Sequence, residues 1–328
     1  WNRKMAFLNF YTNSAELGSG TDSTLAGSFD PTYCDKSIRF VNDSGGAFIG
    51  PSDNESHPDV WFHMEVYGDS TSMTVHNADG MYFQILTDGS RSIMCDLNNG
   101  NIFLGHTTNL LSFEGGVSTQ IAVPWSTTRI ALDIRMQVVS SGTDVCTLYV
   151  DGVETISATH ANSTTGATKV RGMQWNLQDT NGNIYLSQIM VANEDTRGLK
   201  LCAMDADAAG ANSAWVGDYT NIINDDGTFI SSNTAEQQED WNLAAYPGPA
   251  SPTGIRVFQK SKATKGISGP TGVQHYLRIA STDYFGATHA NPKLGNPVIT
   301  EWATNPNTSA AWATADLASL IAGVKSIA

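Results

Sequence analysis

The stretch TRIALDIRMQVVSSGTDVCTLYVDGVETISATHA, Thr128 to Ala161, decides the fold. In its first segment Leu132, Ile134, Met136 and Val138 fall on one face and Asp133, Arg135 and Gln137 on the other, the period of two of a half-buried strand. In the second, Cys146, Leu148 and Val150 share a face. Asp151-Gly152, set between Val150 and Val153, tolerates the positive φ angles of a two-residue hairpin turn, so the chain should double straight back. The stretch therefore predicts three strands, two turns and an antiparallel meander.

Working outward, the same texture continues in both directions. Before the meander, AFLNFYT, SIRFVN, AFIG, VWFHMEVYG, MYFQILT, SIMCDL and NIFLGH are each rich in β-branched or aromatic residues. Asp79-Gly80, Asp88-Gly89, Asn99-Gly100 and Asn181-Gly182 mark turns between neighbouring strands. No helical period stands out in the first 200 residues, and turn signals this regular argue for a β-sandwich. NIYLSQIMVAN reads as its closing strand. The polar run Glu194-Asp195-Thr196-Arg197-Gly198 then marks a domain boundary, giving domains 1–198 and 199–328. A chain of 328 residues exceeds what one hydrophobic core usually serves. Beyond the boundary LKLCAMDA, FISSNT, QEDWNLA, GIRVFQKSK, VQHYLRIAS and LIAGVKSI read as strands, with a Pro-rich turn from Pro247 to Pro252. One short helix is expected at Thr314 to Ala318, with Thr314 as N-cap and Asp316 in the first turn, where the helix dipole favours an anion.

Composition narrows the function. Charged residues make up 15% of the chain, against roughly 25% in ordinary globular domains, and Ser, Thr, Asn and Gly take the surface instead. That suits an extracellular or virion β-protein better than a cytosolic enzyme. Lys+Arg 18 against Asp+Glu 32 gives a net charge of -14, a field that repels phosphate backbones and argues against nucleic acid as a partner. No run approaches the roughly 18 apolar residues of a membrane-spanning helix. WNRKMAFLNF has no apolar core of a signal peptide, and Met5 reads as the natural initiator. Four cysteines, Cys34, Cys95, Cys146 and Cys202, form no C-x-x-C pair. Cys95 and Cys146 sit on apolar strand faces and read as buried free thiols.

Two resemblances add to this. LYVDGVETI resembles the hairpin of concanavalin A-like jelly rolls, which implies that fold for residues 1–198. DDGTFISSNTAEQQEDWNLA (Asp225 to Ala244), TDYFG (Thr282 to Gly286) and EWATNPNTSAAWATADLASLIAGVKS (Glu301 to Ser326) together resemble a domain of structural proteins of tailed bacteriophages. There a "DD.tyIsssTag" segment is followed by "ttDYf" and then by "W.tdPaTgaaWt.adlnal..GvkS". Asn233 and Asn305 depart from the pattern. The resemblance implies an all-β, two-domain virion surface protein: a concanavalin A-like jelly roll followed by a smaller β-sandwich with one short helix. Other virion proteins, copies of itself and host-surface glycans are the implied partners, and fold-level analogy favours a trimer.

Candidates for chemistry stand beside plainer readings. Glycosidases of the laminarinase type carry E-x-D-x-x-E on one strand, two carboxylates flanking the bond to be cut, and this chain has no such run. ALDIRM offers Asp133 with Arg135 rather than a second acid. In FHMEVYG, Glu65 shares a face with His63; the two are the candidates for glycan contact, although lone polar residues on an exposed strand face are commonplace. No catalytic residue is assigned. Asp179-Thr180-Asn181-Gly182-Asn183 resembles the start of a calcium loop but lacks the distal Glu, and Asx turns suffice there and at Asn224-Asp225-Asp226-Gly227, so no cofactor is expected. Trp125, in the turn-like VPWSTT, is the best candidate for an exposed sugar-stacking ring. Trp302 and Trp312 belong to the C-terminal signature and suit packing or a subunit contact. In the last strand Leu320, Ala322 and Val324 share one face and Ile321 takes the other. A terminal strand apolar on both faces should be buried on both, within the sandwich or against a neighbouring subunit, and Trp302, Trp312, Leu320 and Ile321 are the candidates for oligomerisation or docking on the virion.

Overall fold

A computed structural model of the protein describes residues 7–12, 14–17, 19–41, 47–51, 57–69, 81–87, 92–98, 101–107, 121–122, 128–139, 142–161, 168–177, 183–223, 228–292 and 297–328. The chain divides into two compact units, one reaching Leu201 and the other starting at Cys202.

The first unit begins with β1 (Phe7–Tyr11), a single helical turn α1 (Ser14–Leu17), β2 (Thr21–Ser23), β3 (Ser37–Phe40), β4 (Phe48–Ile49) and β5 (Asp59–Gly68). Next come β6 (Met81–Thr87), β7 (Ser92–Asn98), β8 (Asn101–Thr107) and β9 (Ile121–Ala122). The meander follows as β10 (Ile130–Gln137), β11 (Thr143–Val150) and β12 (Val153–Ala161), and β13 (Val170–Leu177) and β14 (Ile184–Ala192) complete the unit. One sheet runs β12-β11-β10-β5-β14-β3-β2, with β1 also paired to β14; the other runs β4-β13-β6-β7-β8-β9. This is a jelly-roll-like sandwich of two antiparallel sheets.

The hairpin forms as the sequence dictates. Asp151 and Gly152 take φ of 49° and 79°. Asp151 also ties the turn to β10, its N–H donating to the Ala131 carbonyl and its carboxylate accepting from the Ala131 N–H, both at 2.8 Å. Alternation then sends Phe62 and Met64 of β5, Leu132 and Ile134 of β10 and Cys146 and Leu148 of β11 into the core, where Ile85 and Met173 meet them from the facing sheet. Truncating one such side chain, Leu132→Ala for example, costs about 2–5 kcal/mol. Cys146 is buried here and Cys34 and Cys202 are half-buried, all three as free thiols. The Cys95 side chain lies outside the described residues.

The strand β14 is buried on both faces, and it carries a bulge. Gln188 adopts φ 56°, and the pairing with β5 slips between Ser187 and Met190. The extra residue keeps Ile189 and Val191 in the core and leaves Ser187 and Met190 together on the opposite face.

The second unit contains β15 (Ala206–Ser213), a 3-10 turn (Tyr219–Asn221), β16 (Gln238–Leu243), β17 (Val257–Lys262), β18 (Gly272–Ile279), β19 (Thr282–Ala290), β20 (Pro297–Trp302), α2 (Thr314–Leu317) and β21 (Ile321–Ile327). Its sheets are β15-β16-β21-β18-β19 and the pair β17-β20. Trp241, Leu277, Val298, Trp302, Trp312, Leu317, Leu320, Ala322 and Val324 form the core. The NPNTS turn is an Asx turn: Asn305, itself buried, accepts from the Asn307 N–H at 2.9 Å.

Several expectations are corrected. LKLCAMDA is not a strand; the strand starts only at Ala206 and runs through Ala, Gly, Asp and Asn, poor β formers whose short side chains suit an edge. FISSNT contributes a single bridge, Ser231 to Val216. The N-cap of α2 is Ala313, not Thr314. Asp316 accepts from the Ala313 N–H at 2.9 Å, and the Thr314 hydroxyl donates to the Ala250 carbonyl at 3.1 Å instead.

Candidate functional site

Cross-strand register on the outer face of the larger sheet brings the candidate residues together. Opposite His63 stand Asp133 of β10 on one side and Met190 of β14 on the other; opposite Glu65 stands Ser187 of β14, and opposite Trp61 stands Arg135. Asp133 in turn faces Tyr149 of β11. Alternation on four adjacent strands thus gathers these side chains into one patch.

This patch is not exposed, which corrects the expectation for His63 and Glu65: they are 1% and 2% accessible, and Asp133 is 0%. The cover is the polar run that the sequence marks as a boundary. Thr196 is fully buried and donates its hydroxyl to Asp133 Oδ1 at 2.7 Å, alongside His63 Nδ1 at 2.7 Å on the same oxygen. Lys200 Nζ pairs with Glu65 Oε1. Arg197 lies 4.5 Å over the Tyr149 ring and 5.6 Å from that of Trp61, which stacks on Tyr149 at 5.3 Å. Leu201 closes the strap, its N–H donating to Gln188 Oε1 and its carbonyl accepting from Gln188 Nε2 at 2.9 Å. The left-handed bulge residue is thus used twice, as a register shift and as a clasp.

The electrostatics are those of a neutralised cluster. Glu65 receives Lys200 on one oxygen and, on the other, Arg129 Nε at 3.1 Å and the Ser187 hydroxyl at 3.4 Å. Arg129 also reaches Asp30 at 3.2 Å. Burial pushes the Asp30 carboxyl up, but its hydrogen bonds from Thr32 and the charges of Arg129 and Lys200 outweigh that and hold it below the usual carboxylate range. Burial pushes the Cys34 thiol up. The Arg197 guanidinium holds Asp195 below its ordinary value.

Chemically, the group with unused capacity is the His63–Asp133 pair. A proton on His63 Nδ1 would be donated to Asp133 Oδ1, 2.7 Å away, with Nε2 pointing away from the carboxylate. Among the described residues neither His63 Nε2 nor Asp133 Oδ2 has a hydrogen-bond partner, and both are buried. A base oriented by a carboxylate is the start of acid–base machinery, but the strap keeps substrates from this one. Sequence alone sets Asp133 beside Arg135 and gives no sign of its pairing with His63 or of the roles of Thr196, Lys200 and Arg129. The legible signal was that His63, Glu65 and Asp133 all occupy the non-core phase of neighbouring strands.

Of the other expected residues, Trp125 lies outside the described residues, as do Asp179 to Gly182 and Asn224 to Gly227. Asn183 is engaged with Asp69, its N–H and side-chain amide donating to the two carboxylate oxygens at 2.8 and 2.6 Å. Among the described residues no three His, Cys, Asp or Glu side chains are grouped to hold a metal ion, and no helix is long and apolar enough to cross a membrane. Trp302, Trp312 and Leu320 are consumed by the core of their own unit, and Trp312 Nε1 donates to the Trp302 carbonyl at 2.7 Å. Their docking role is corrected on that ground: a side chain buried inside its own unit has no surface left for a neighbour. Ile321 is half-buried in β21, an interior strand of its sheet.

No family model matches the chain, and no curated protein does. Among solved structures it is similar to a cellulose-induced protein, Cip1, at 11% identity over 59% of this chain and 94% of that one, with a TM-score of 0.34. It is also similar to the alginate lyase Aly36B, at 11% identity over 60% and 100% with a TM-score of 0.35. Lectin I-B4 from Griffonia simplicifolia is similar at 10% identity over 52% and 89%, with a TM-score of 0.34. Similarity at this level carries no functional information.

Proposed function

We propose that this chain is a non-enzymatic structural protein of a tailed-bacteriophage virion surface. Its first unit is displayed, its second docks on other virion proteins, and copies associate, with a trimer as the reading by analogy. Host-surface glycans are the ligand class proposed for the displayed unit.

The observation that carries this reading is what the C-terminal signature does. Trp302 and Trp312 fill the core, Asn305 to Asn307 form the turn between them, and Gly323 lies beneath the Tyr276 ring. Residues that resemble the phage family are thus the ones that build the unit, which supports common architecture rather than a borrowed motif. The closed polar patch of the first unit supports a non-catalytic role, since Glu65 and Asp133 are committed to internal partners. Docking would fall to exposed residues of the second unit, not to Trp302 or Trp312.

Peptide mass spectrometry of purified particles, with immunogold labelling by an antibody to the first unit, tests the reading. Stoichiometric incorporation with label on the outside supports it. Absence from particles, or turnover of a polysaccharide that disappears in Glu65→Gln or Asp133→Asn, overturns it in favour of a carbohydrate-active protein whose strap opens.

A further inference from the structure

The two sheets of the second unit are joined by a chain of four side chains. Ser261 of β17 and Thr300 of β20 supply hydroxyls from the two-stranded sheet; His275 of β18 and His289 of β19 supply rings from the five-stranded one. His275 is 0% accessible and bonded at both nitrogens, Nε2 to Ser261 Oγ at 2.8 Å and Nδ1 to Thr300 Oγ1 at 2.9 Å. Thr300 Oγ1 also meets His289 Nε2 at 3.0 Å, and the two rings are 5.6 Å apart between centroids. Every link joins the sheets.

We propose that this chain, Ser261–His275–Thr300–His289, is an acid-sensitive latch: in mild acid the β17–β20 sheet opens from the five-stranded sheet more readily than at neutral pH.

Proton counting gives the reason. With both rings neutral, the links can run in one direction: Ser261 donates to His275, His275 to Thr300 and Thr300 to His289, so each donor meets an acceptor. One proton added to His289 Nε2 is absorbed by reversal, since Thr300 can accept from His289 and donate back to His275. A second proton cannot be absorbed. Both rings would then donate to Thr300, its own hydroxyl proton would lose its acceptor, and a cation on buried His275 would face a second on half-buried His289.

Little on this face offsets that charge. Val273, Leu277 and Ile279 share the His275 face and are core residues, and His289 pairs opposite Val273. Glu239 of β16 lies in the same cross-strand row, opposite Val324, which is opposite His275; it accepts from the Trp215 N–H at 3.1 Å. On β21 the face holds Ala322 and Val324, while Lys325 sits on the other side, over Phe285. Arg278, Asp240 and Asp283 pair with one another on that same far side. On β17 and β20, Lys260, Lys262 and Glu301 alternate with Ser261 and Thr300 and so point away from the latch.

Burial pushes His275 down to about 3, with His289 beside it adding to the effect, and burial also lowers His289. A base whose folded value lies below its unfolded one stabilises the fold fully above about pH 6.5, and that stability drains away as pH falls toward the folded value. For His275 alone, linkage raises the opening equilibrium roughly 25-fold between pH 7 and pH 5. Burial raises Glu239, whose contribution therefore has the opposite sign.

Hydrogen exchange of β17 and β20 amides in the full chain at pH 7 and pH 5, corrected for intrinsic rates, reads the opening. A rise of roughly 25-fold in the parent that falls to a few-fold in His275→Gln is the expected result. Should that variant not fold, the imidazole resonances of the parent decide: His275 must stay neutral at pH 5 while the fold persists. Opening that is independent of pH, an equal rise in the folded variant, or a His275 ring that titrates near 6.5 in the native protein overturns the latch.

Discussion

Gly323 in the middle of β21 is a position with no room for an added methyl group. The Tyr276 ring, itself 0% accessible, lies across it, and a Cβ built there would stand 2.3 Å from Cζ and 2.6 Å from Cε1 and the hydroxyl. The ring has no free direction to retreat. Its hydroxyl donates to Asp240 Oδ2 at 2.9 Å and accepts from Asn212 Nδ2 at 3.1 Å, and Asp240 is held in turn by Arg278 at 2.8 Å. Overpacking a tight site costs about 1–3 kcal/mol. Displacing the phenol also costs its bond to a charged partner, about 1.5–3 kcal/mol. Gly323→Ala should therefore destabilise the second unit by about 2.5–6 kcal/mol. For a domain of this size that lowers its melting temperature by about 10–20 °C. Differential scanning calorimetry of the full chain measures the shift. The clash is isolated by repeating the substitution in a Tyr276→Leu background, where most of the loss should vanish. A melting point within about 2 °C of the parent, or an equal loss in both backgrounds, would refute the argument.

Two further outcomes follow from the first unit. Thr196→Val removes the hydroxyl that donates to buried Asp133 while keeping the shape, and should cost about 1.5–3 kcal/mol, read as a lower melting transition of that unit with the second unchanged. Cys146 is fully buried and its thiol is pushed up by burial, so native protein treated with a thiol reagent at pH 8 should show Cys202 labelled and Cys146 unlabelled by peptide mass spectrometry; early Cys146 labelling would mean the core opens.

The sequence was most readable where side-chain alternation and turn chemistry act locally. Leu132 to Val150 and the Asp151-Gly152 turn could be placed from period two and positive φ alone. It was least readable where partners come from afar. Nothing near Glu65 announces that Lys200, 135 positions later, will neutralise it, so an alternating strand was read as half-exposed. The strap itself was read as a linker because polarity and a closing Gly are common to linkers and to segments that cover a polar face. In the second unit Ala206–Ser213 lacks a strand signal because an edge strand with small side chains has no β-branched residues, whereas Trp302 and Trp312 read as packing or contact anchors and the structure places both in the core.

The strap from Thr196 to Leu201 also orders events during synthesis. Glu65, His63 and Asp133 emerge from the ribosome more than sixty residues before the side chains that cover them, so the nascent sheet must wait with three ionisable groups facing water. A chain released at Gly198 keeps Thr196 but has neither Lys200 nor the Leu201 clasp, and its first unit is unfinished. Maturation of that unit is thus timed to the moment when the second begins to appear.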